Sequence, residues 1–341
     1  MVRVKTQTEP HRTGPARAVL VLGAGAAALA GAVLLSLVMG SRPTPLPEVW
    51  AVFTGGADPF VATVVESRYP RTLLGVVAGA ALALAGTLMQ GITRNPLADP
   101  GLLGVNAGAA AAVVTATALF GSTSVAGTVW WAMPGALAAG LAAYTVGSRG
   151  GDGGMVRLVL AGAVVSAVLT AYVQAVALSL PETFESYRYW VVGSLGGRGY
   201  DVVWSVLPVI GVGTALALLV CGGLNALALG EEAAIATGAN TLWTRSAGLI
   251  AGTMLAAGAT AAAGPIAFVG LAVPHVVRAL IGVDFRLQVP FALLVGPTLL
   301  LAADVVGRTI VRPTELMVGV VTAFVGAPVL LYAVRRMRST S

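Results

Sequence analysis

The chain has 341 residues, of which 57% are hydrophobic and only 10% charged, with 44 glycines and a formal net charge of +6. A soluble domain is about 45–50% apolar and about 25% charged, so these few charges could not cover so much apolar surface. A soluble enzyme and a disordered chain are excluded, and a lone cysteine, Cys221, excludes a disulfide scaffold. What remains is an all-α polytopic membrane protein.

A helix needs about 20 apolar residues to cross the hydrocarbon core. Runs of this kind between proline, glycine and charge clusters number ten, at approximately 18–40, 71–91, 103–120, 125–147, 157–179, 203–222, 245–263, 266–283, 288–306 and 315–334. The third and fourth are separated only by Gly121 to Ser124, and the seventh and eighth meet at Gly264-Pro265. Arg3, Lys5, Arg12 and Arg17 precede the first run, as in a signal peptide. Its apolar stretch, Ala18 to Met39, exceeds the roughly 7–15 residues of a signal core, so it reads as a retained first helix. A tail over residues 1–17 and a single transmembrane domain over 18–337 follow from this division.

With the N-terminus inside and ten crossings, both termini are cytoplasmic. The inside segments then hold 13 of the 20 basic residues: Arg3, Lys5, Arg12, Arg17, Arg94, Arg149, Arg157, Arg245, Arg278, Arg286, Arg335, Arg336 and Arg338. Arg42, Arg68, Arg71, Arg188, Arg198, Arg308 and Arg312 are left outside. That bias is the positive-inside rule. The net charge is therefore a topology signal, and nucleic acid is not an expected partner.

An internal repeat organises the helices. Arg71 is followed by Gly75-x-x-x-Gly79 and then by Pro96-Leu97-Ala98-x-x-Gly101-Leu102. Arg245 is followed by Gly248-x-x-x-Gly252 and then by Pro265-Ile266-Ala267-x-x-Gly270-Leu271, at offsets of 174, 173 and 169 residues. Small-x-x-x-small spacing alone is common in glycine-rich membrane helices; the shared proline motif lifts the match above that background. Two five-helix repeats result, at approximately 18–200 and 201–337. Five is odd, so the second copy inserts upside down, as in inverted-repeat transporters.

The only lysine is Lys5, so no Gly-x-x-x-x-Gly-Lys phosphate loop can exist. A proton-coupled carrier usually places Asp, Glu or His mid-membrane, whereas these runs are almost free of acids and Asp304 lies toward the outer end of the ninth. Energy must come from elsewhere, most simply from a partner. The longest polar cytoplasmic segment, within 224–244, runs from Leu224 to Asn240 and suits two short helices broken at Gly230 and Gly238. It is either a docking element or an ordinary connecting loop.

Four blocks of this sequence resemble the FecCD-type permeases, the membrane subunits of ABC importers for iron-siderophores, haem and cobalamin. They are Arg68-Tyr69-Pro70-Arg71; Gln90 with Asn95-Pro96-Leu97-Ala98-Asp99-Pro100-Gly101-Leu102-Leu103-Gly104; Leu227-Ala228-Leu229-Gly230-Glu231-Glu232-Ala233; and Phe268-Val269-Gly270-Leu271-Ala272-Val273-Pro274-His275. The tail with Ala303-Asp304, Glu315-Leu316, Gly319, Thr322 and Gly326-Ala327-Pro328 also fits. The resemblance covers residues from about 60 to 337 and says little about cargo.

What the resemblance implies falls on particular residues. Leu229, Gly230, Glu231, Glu232 and Ala233 match the coupling helices that sit in a cleft of the ATPase subunit. Arg68, Arg71 and Arg308 match outer arginines that receive acidic residues of the substrate-binding protein. Asn95, Pro96 and Leu97 match the cytoplasmic gate of the cobalamin permease, whose second element, a polar pair, is replaced here by Met155-Val156. The residues themselves leave simpler roles open. Outer arginines also anchor helix ends at headgroups, although their planar fork suits carboxylates. Asn95-Pro96 is also a helix stop.

His275 has no second ligand at metal-binding spacing and reads as structural, and His11 carries no signal. Hydrolase and metalloprotease motifs are absent from the sequence. Gln90, Asn106 and Gln174 either line a path or bond neighbouring helices. The resemblance thus implies the membrane-spanning permease of a binding-protein-dependent ABC importer, multi-pass in a bacterial cytoplasmic membrane. A bulky iron chelate, foremost a ferric siderophore, is the expected cargo, with haem and cobalamin in the same class. It implies a second permease copy or a related permease, cytoplasmic ABC ATPase subunits and an extracytoplasmic binding protein. No cofactor is expected in this chain; ATP and Mg belong to the ATPase. The alternative is an ion-coupled secondary transporter acting without an ATPase.

Overall fold

The computed structural model describes residues 14–40, 42–121, 124–147 and 154–338. Among them the chain is helical and without strands. The first half holds α1 (Pro15–Val38), α2 (Leu46–Phe53), α3 (Pro59–Glu66), α4 (Arg68–Thr93), a 3-10 turn (Pro100–Leu103), α5 (Val105–Phe120), α6 (Val125–Gly147), α7 (Gly154–Ser179) and α8 (Pro181–Val191). The second holds α9 (Tyr200–Leu219), α10 (Cys221–Ala228), α11 (Glu231–Ala236), α12 (Thr241–Ala263), α13 (Val269–Ile281), α14 (Phe285–Ile310) and α15 (Val318–Arg338). The tail residues Arg3, Lys5, His11 and Arg12, and Arg149, lie outside the described residues.

Seven stretches are long and apolar enough to cross a membrane, and Val105–Phe120, Val269–Ile281 and Val318–Pro328 are shorter apolar helices. Every run read from the sequence coincides with one of these. The boundaries differ where glycine and proline act. The eighth run, read from 266, begins within irregular backbone that starts at Gly264 and turns helical only at Val269, leaving a 13-residue helix about 20 Å long at 1.5 Å per residue. Irregular backbone in such a bundle must find partners in protein; here Ser194 N donates to Ala263 O at 2.7 Å. The sixth run ends at Leu219, and its last residues already belong to α10. Three short helices, α2, α3 and α8, fill connections that read as plain breaks. Each carries proline in its first turn, where the missing N–H costs nothing. Asp58 caps α3 by accepting from Phe60 N at 2.9 Å.

The centre is built by α4 and α12, whose apolar windows are mostly buried, while α1 and α7 are mostly exposed. Small residues allow this. A Cβ on Gly79 would sit 2.7 Å from Pro297 Cα, and one on Gly86 only 1.9 Å from Gly270 O, so α4 touches α14 and α13 backbone to backbone. The two helices carrying the repeated glycine pair run antiparallel. Gly248 faces Ile92 while Gly252 faces Met89, one turn back along α4. This is the inversion that an odd-numbered repeat requires. The start of α4 and the ends of α1 and α14 define one end of the bundle, here the first end. At the opposite end lie α10, α11 and the starts of α12 and α14.

Candidate functional sites at the two ends of the bundle

At the first end, an ionic cluster joins α1, α4, α14 and the connection into α15. Arg71 Nε donates to Asp304 Oδ1 and Oδ2 at 3.2 and 3.1 Å, and Nη2 to Oδ1 at 2.8 Å. Its Nη1 reaches Glu315 Oε2 at 2.7 Å. Asp304 also pairs with Arg308 Nη2 at 2.9 Å, one helical turn along α14. Arg308 donates on to Ser36 O at 3.0 Å and Ser36 Oγ at 2.9 Å, and Ser36 Oγ meets Thr72 Oγ1 at 2.8 Å. Arg68 gives its donors to the carbonyls of Leu37, Val38 and Arg42. The bonds to Leu37 and Val38 cap C-terminal carbonyls of α1, which have no partner within the helix, and the bond to Arg42 holds the segment beyond it.

The structure therefore brings together Arg68, Arg71 and Arg308, as their matching to one site implies, but turns them inward. Arg68 and Arg71, three residues apart at the start of α4, do not point outward from that turn: both are largely buried. Arg68 is 6% and Arg308 1% exposed, and Asp304, at 1%, anchors two of the three arginines. The signal was present in the sequence, since Asp304 and Arg308 stand at i, i+4 spacing, which places them on one helix face. Ser36 and Thr72 gave no signal.

Beside this cluster is a cavity of about 590 Å³, lined in part by Arg42, Arg68, Arg71, Arg198, Arg308 and Glu315. Its charged lining is thus strongly basic. Arg42 lies over the Phe60 ring, 4.8 Å from its centroid, a cation–π contact.

At the opposite end, α10 and α11 form the two short helices expected, separated at Gly230 (φ +112°), and α11 ends before Gly238 (φ +80°). Both glycines adopt the left-handed conformations that side-chain-bearing residues avoid. Glu231 takes a two-pronged pair from Arg245 at 3.0 and 2.8 Å, which ties α11 to α12. Asn225 donates to Asp284 Oδ1 at 2.6 Å and accepts from Phe285 N at 2.8 Å, which ties α10 to α14. Glu232 and Ala233 lie beside Glu231, with Glu232 exposed. Leu229, Ile235, Leu242 and Trp243 are exposed around it, at 71%, 60%, 74% and 56%.

The turn after α4 sits at this end as well. Arg94 adopts φ +50°, and Asn95 Oδ1 accepts from Leu97 N at 2.9 Å. Pro96 follows in a tight stop, and Leu97 is 43% exposed. Asp99 caps the 3-10 turn by accepting from Gly101 N at 2.8 Å. Burial pushes the Asp99 carboxyl pKa up, and the Gly101 N–H opposes that shift. Gln90 bonds a neighbouring helix: it accepts from Arg278 and points its amide at Gly270 O and Leu271 O. His275 Nδ1 lies 2.7 Å from Leu271 O, one turn back on α13. The Met155-Val156 pair lies in the first turn of α7, where Val156 is exposed and the Met155 side chain is outside the described residues.

Asn106 and Gln174 meet at a second cavity, of about 690 Å³, between α5, α7 and α8. Ser166, Thr170 and Gln174 recur every fourth residue on α7 and face it with Tyr187. A polar stripe on a membrane helix faces protein or a water-filled space rather than lipid.

A helical membrane protein with related helices running in opposite directions, ion-paired at one end and carrying a tethered helix pair at the other, has the form of a transporter subunit. The chain belongs to the FecCD transport family, whose profile matches residues 28–336. It is 47% identical over 307 residues to the ferric enterobactin transport system permease protein FepD of Escherichia coli, covering 89% of this chain and 92% of that one. It is 40% identical to the Fe(3+)-citrate import system permease protein YfmD of Bacillus subtilis, over 84% of this chain and 85% of the relative. The cobalamin import system permease protein BtuC of Halobacterium salinarum is 37% identical, over 88% and 81%. A solved structure described as an inward-facing conformation of a putative metal-chelate type ABC transporter superposes with a TM-score of 0.80 at 26% identity, over 93% of this chain and 99% of that one. The chain is accordingly an ABC importer permease, multi-pass in the cytoplasmic membrane and without catalytic activity of its own.

Proposed function

We propose that this chain carries a ferric siderophore inward as one of two permease copies, the second being this chain or a relative. Cytoplasmic ABC ATPase subunits sit against α10 and α11, and an extracytoplasmic binding protein delivers cargo to the first end. ATP and Mg are bound by the ATPase. The cargo reading is supported by the relatives, of which the 47% identical one is named for ferric enterobactin and another for ferric citrate.

The observation that carries the coupling reading is the pairing of exposure with attachment at α10 and α11. Leu229, Ile235, Leu242 and Trp243 present apolar side chains around the exposed Glu232 at a polar end of the bundle. Such a patch marks a protein contact. The Glu231–Arg245 pair and the Asn225–Asp284 bond fix the patch to α12 and α14, so force applied there reaches the helices that pack on α4. The turn at Asn95, Pro96 and Leu97, where α4 stops, serves as the cytoplasmic gate. The polar stripe of α7 faces the translocation path, and an intact chelate needs a wall of suitable size with little buried charge.

The test is uptake of radiolabelled ferric siderophores into cells lacking this chain. Wild-type chain restores uptake. A variant with Leu229→Asp and Ile235→Asp inserts in the membrane but loses ATPase co-purification and uptake by at least about tenfold, as truncation of central contact residues does elsewhere. Full uptake by that variant would count against the coupling surface, and wild-type cells that take up no iron chelate would count against the cargo.

A further inference from the structure

At the end of the bundle that holds α10 and α11, Gly91 forms a notch in the last turn of α4. A Cβ there would lie 2.7 Å from both Cε1 and Cζ of Phe285 and 3.5 Å from Leu224 Cδ2. The ring of the first residue of α14 and a side chain of α10 thus both close on α4. Phe285 is 7% exposed, and Leu224 is fully buried. The Phe285 N–H donates to Asn225 Oδ1 of α10 at 2.8 Å, and the Asn225 amide holds Asp284. Phe285 therefore touches α10 through its backbone and α4 through its ring.

Little slack separates Gly91 from the stop that follows α4. Thr93 Oγ1 donates to Met89 O at 2.7 Å and accepts from Asn95 N at 3.2 Å, which ties the stop to the last helical turn. Asn95 in turn holds Leu97 N through its side chain and Ala98 N through its carbonyl. A close-packed interior has low compressibility, so a shift of one wall of a contact is passed to the other. Glycine, lacking a Cβ, offers no side chain that could give way beneath the ring.

We propose that Phe285 is the positioning residue that links the ATPase-facing segment to the gate. When α10 moves, Phe285 carries the movement through Gly91 into the last turn of α4 and so shifts Asn95, Pro96 and Leu97. The inference rests on the importer reading above and on its gate, and it narrows a transmission spread over α12 and α14 to one contact. A packing role alone would need only the volume of the ring. A transmitting role needs its reach onto Gly91 together with its attachment to Asn225. Contact between the two ends of such a chain is not coupling, so the test must read coupling itself.

The experiment uses the permease–ATPase complex in nanodiscs, with Leu97→Cys as a reporter in a Cys221→Ser background. Labelling of the reporter thiol by a membrane-impermeant maleimide is timed without nucleotide and after trapping with ATP and vanadate, and ATP hydrolysis is measured in parallel. With Phe285 intact, the two states label at rates that differ severalfold. Phe285→Ala hydrolyses ATP at the unmodified rate but labels alike in both states. Gly91→Ala, which drives a methyl into the ring, also abolishes the difference. Gly91→Ala with Phe285→Leu restores it in part, because the smaller side chain makes room. That reciprocal rescue decides the question if Phe285→Ala does not assemble. A full labelling difference in Phe285→Ala, hydrolysis lost along with the difference in an assembled complex, or a double variant no better than Gly91→Ala overturns the inference alone. With Phe285 intact, hydrolysis without any labelling difference overturns the gate assignment, and no hydrolysis by the assembled complex overturns the importer reading. The inference falls with either.

Discussion

Arg308 and Arg245 are both helix-end arginines paired to a carboxylate, yet the Arg308 side chain is 2% exposed and the Arg245 side chain 34%. Around Arg308 the partners interlock: Asp304 serves two arginines, and Ser36 and Thr72 extend the chain of bonds to α1 and α4. Around Arg245 there is one pair, open to water, joining a six-residue helix to its neighbour. The same ionic chemistry thus locks helices at one end and tethers a surface element at the other. Burial decides between the two. A buried ion is costly to uncover and so holds its place, whereas an exposed pair exchanges readily with water or with a partner.

The largest effect should follow from removing the shared carboxylate. Asp304→Ala leaves Arg71 with only Glu315 and takes from Arg308, whose side chain is 2% exposed, the one carboxylate it pairs with among the described residues. Breaking a buried pair on one side costs about 3–5 kcal/mol. Purified Asp304→Ala should therefore unfold at markedly lower temperature or denaturant than wild type, with α1 and α14 losing amide protection first. Stability within about 1 kcal/mol of wild type, the range of exposed pairs, would place this cluster in the same class as Arg245 and break the comparison.

A middle effect separates packing from charge. Gly86→Ala puts a Cβ 1.9 Å from Gly270 O, so α4 and α13 must move apart. Overpacking of this kind typically costs about 1–3 kcal/mol. Gly211→Ala on α9, where nothing lies within 4 Å, is the control and should be neutral or slightly stabilising. Equal thermal shifts for the two variants would mean that the crossing at Gly86 is looser than the structure has it.

The legibility of these features in the sequence follows their physical range. Helix runs, the repeat and its inversion were readable because apolar periodicity and glycine spacing are local, and the antiparallel pairing of Gly248 with Ile92 follows from an odd number of helices. Gly230 and Gly238 marked the breaks that end α10 and α11, because left-handed backbone favours glycine. The three arginines line one cavity at the first end, and the direction they face depends on Ser36 and Asp304, which are distant in sequence. Prolines that open α2, α3 and α8 looked like breaks because a proline at a helix start and one that ends a helix look alike in sequence. Arg198 appeared only as one outer charge among seven; that it pairs with none of the described residues is a property of three-dimensional packing alone.

The smallest expected effect is the sharpest test of the other end. A double-mutant cycle on Glu231→Gln and Arg245→Gln should give a coupling energy of about 0.2–1 kcal/mol, because both side chains keep contact with water and neither is left as a buried charge. The coupling should shrink as salt rises, since exposed pairs are screened within a Debye length of about 10 Å at 0.1 M. Function should be more sensitive than stability here. If the pair transmits movement from α11 to α12, either single variant will lower the ATP-driven uptake rate while ATPase assembly and the unfolding midpoint barely change. Assembly rests on Leu229 and its apolar neighbours, and the pair contributes the tether. A coupling of several kcal/mol that resists salt would show a pair shielded in the assembled transporter, and the contrast between the two ends would then belong to the isolated chain only. Uptake unchanged in both variants would reduce Glu231 and Arg245 to a surface contact and leave Asn225–Asp284 as the remaining tether.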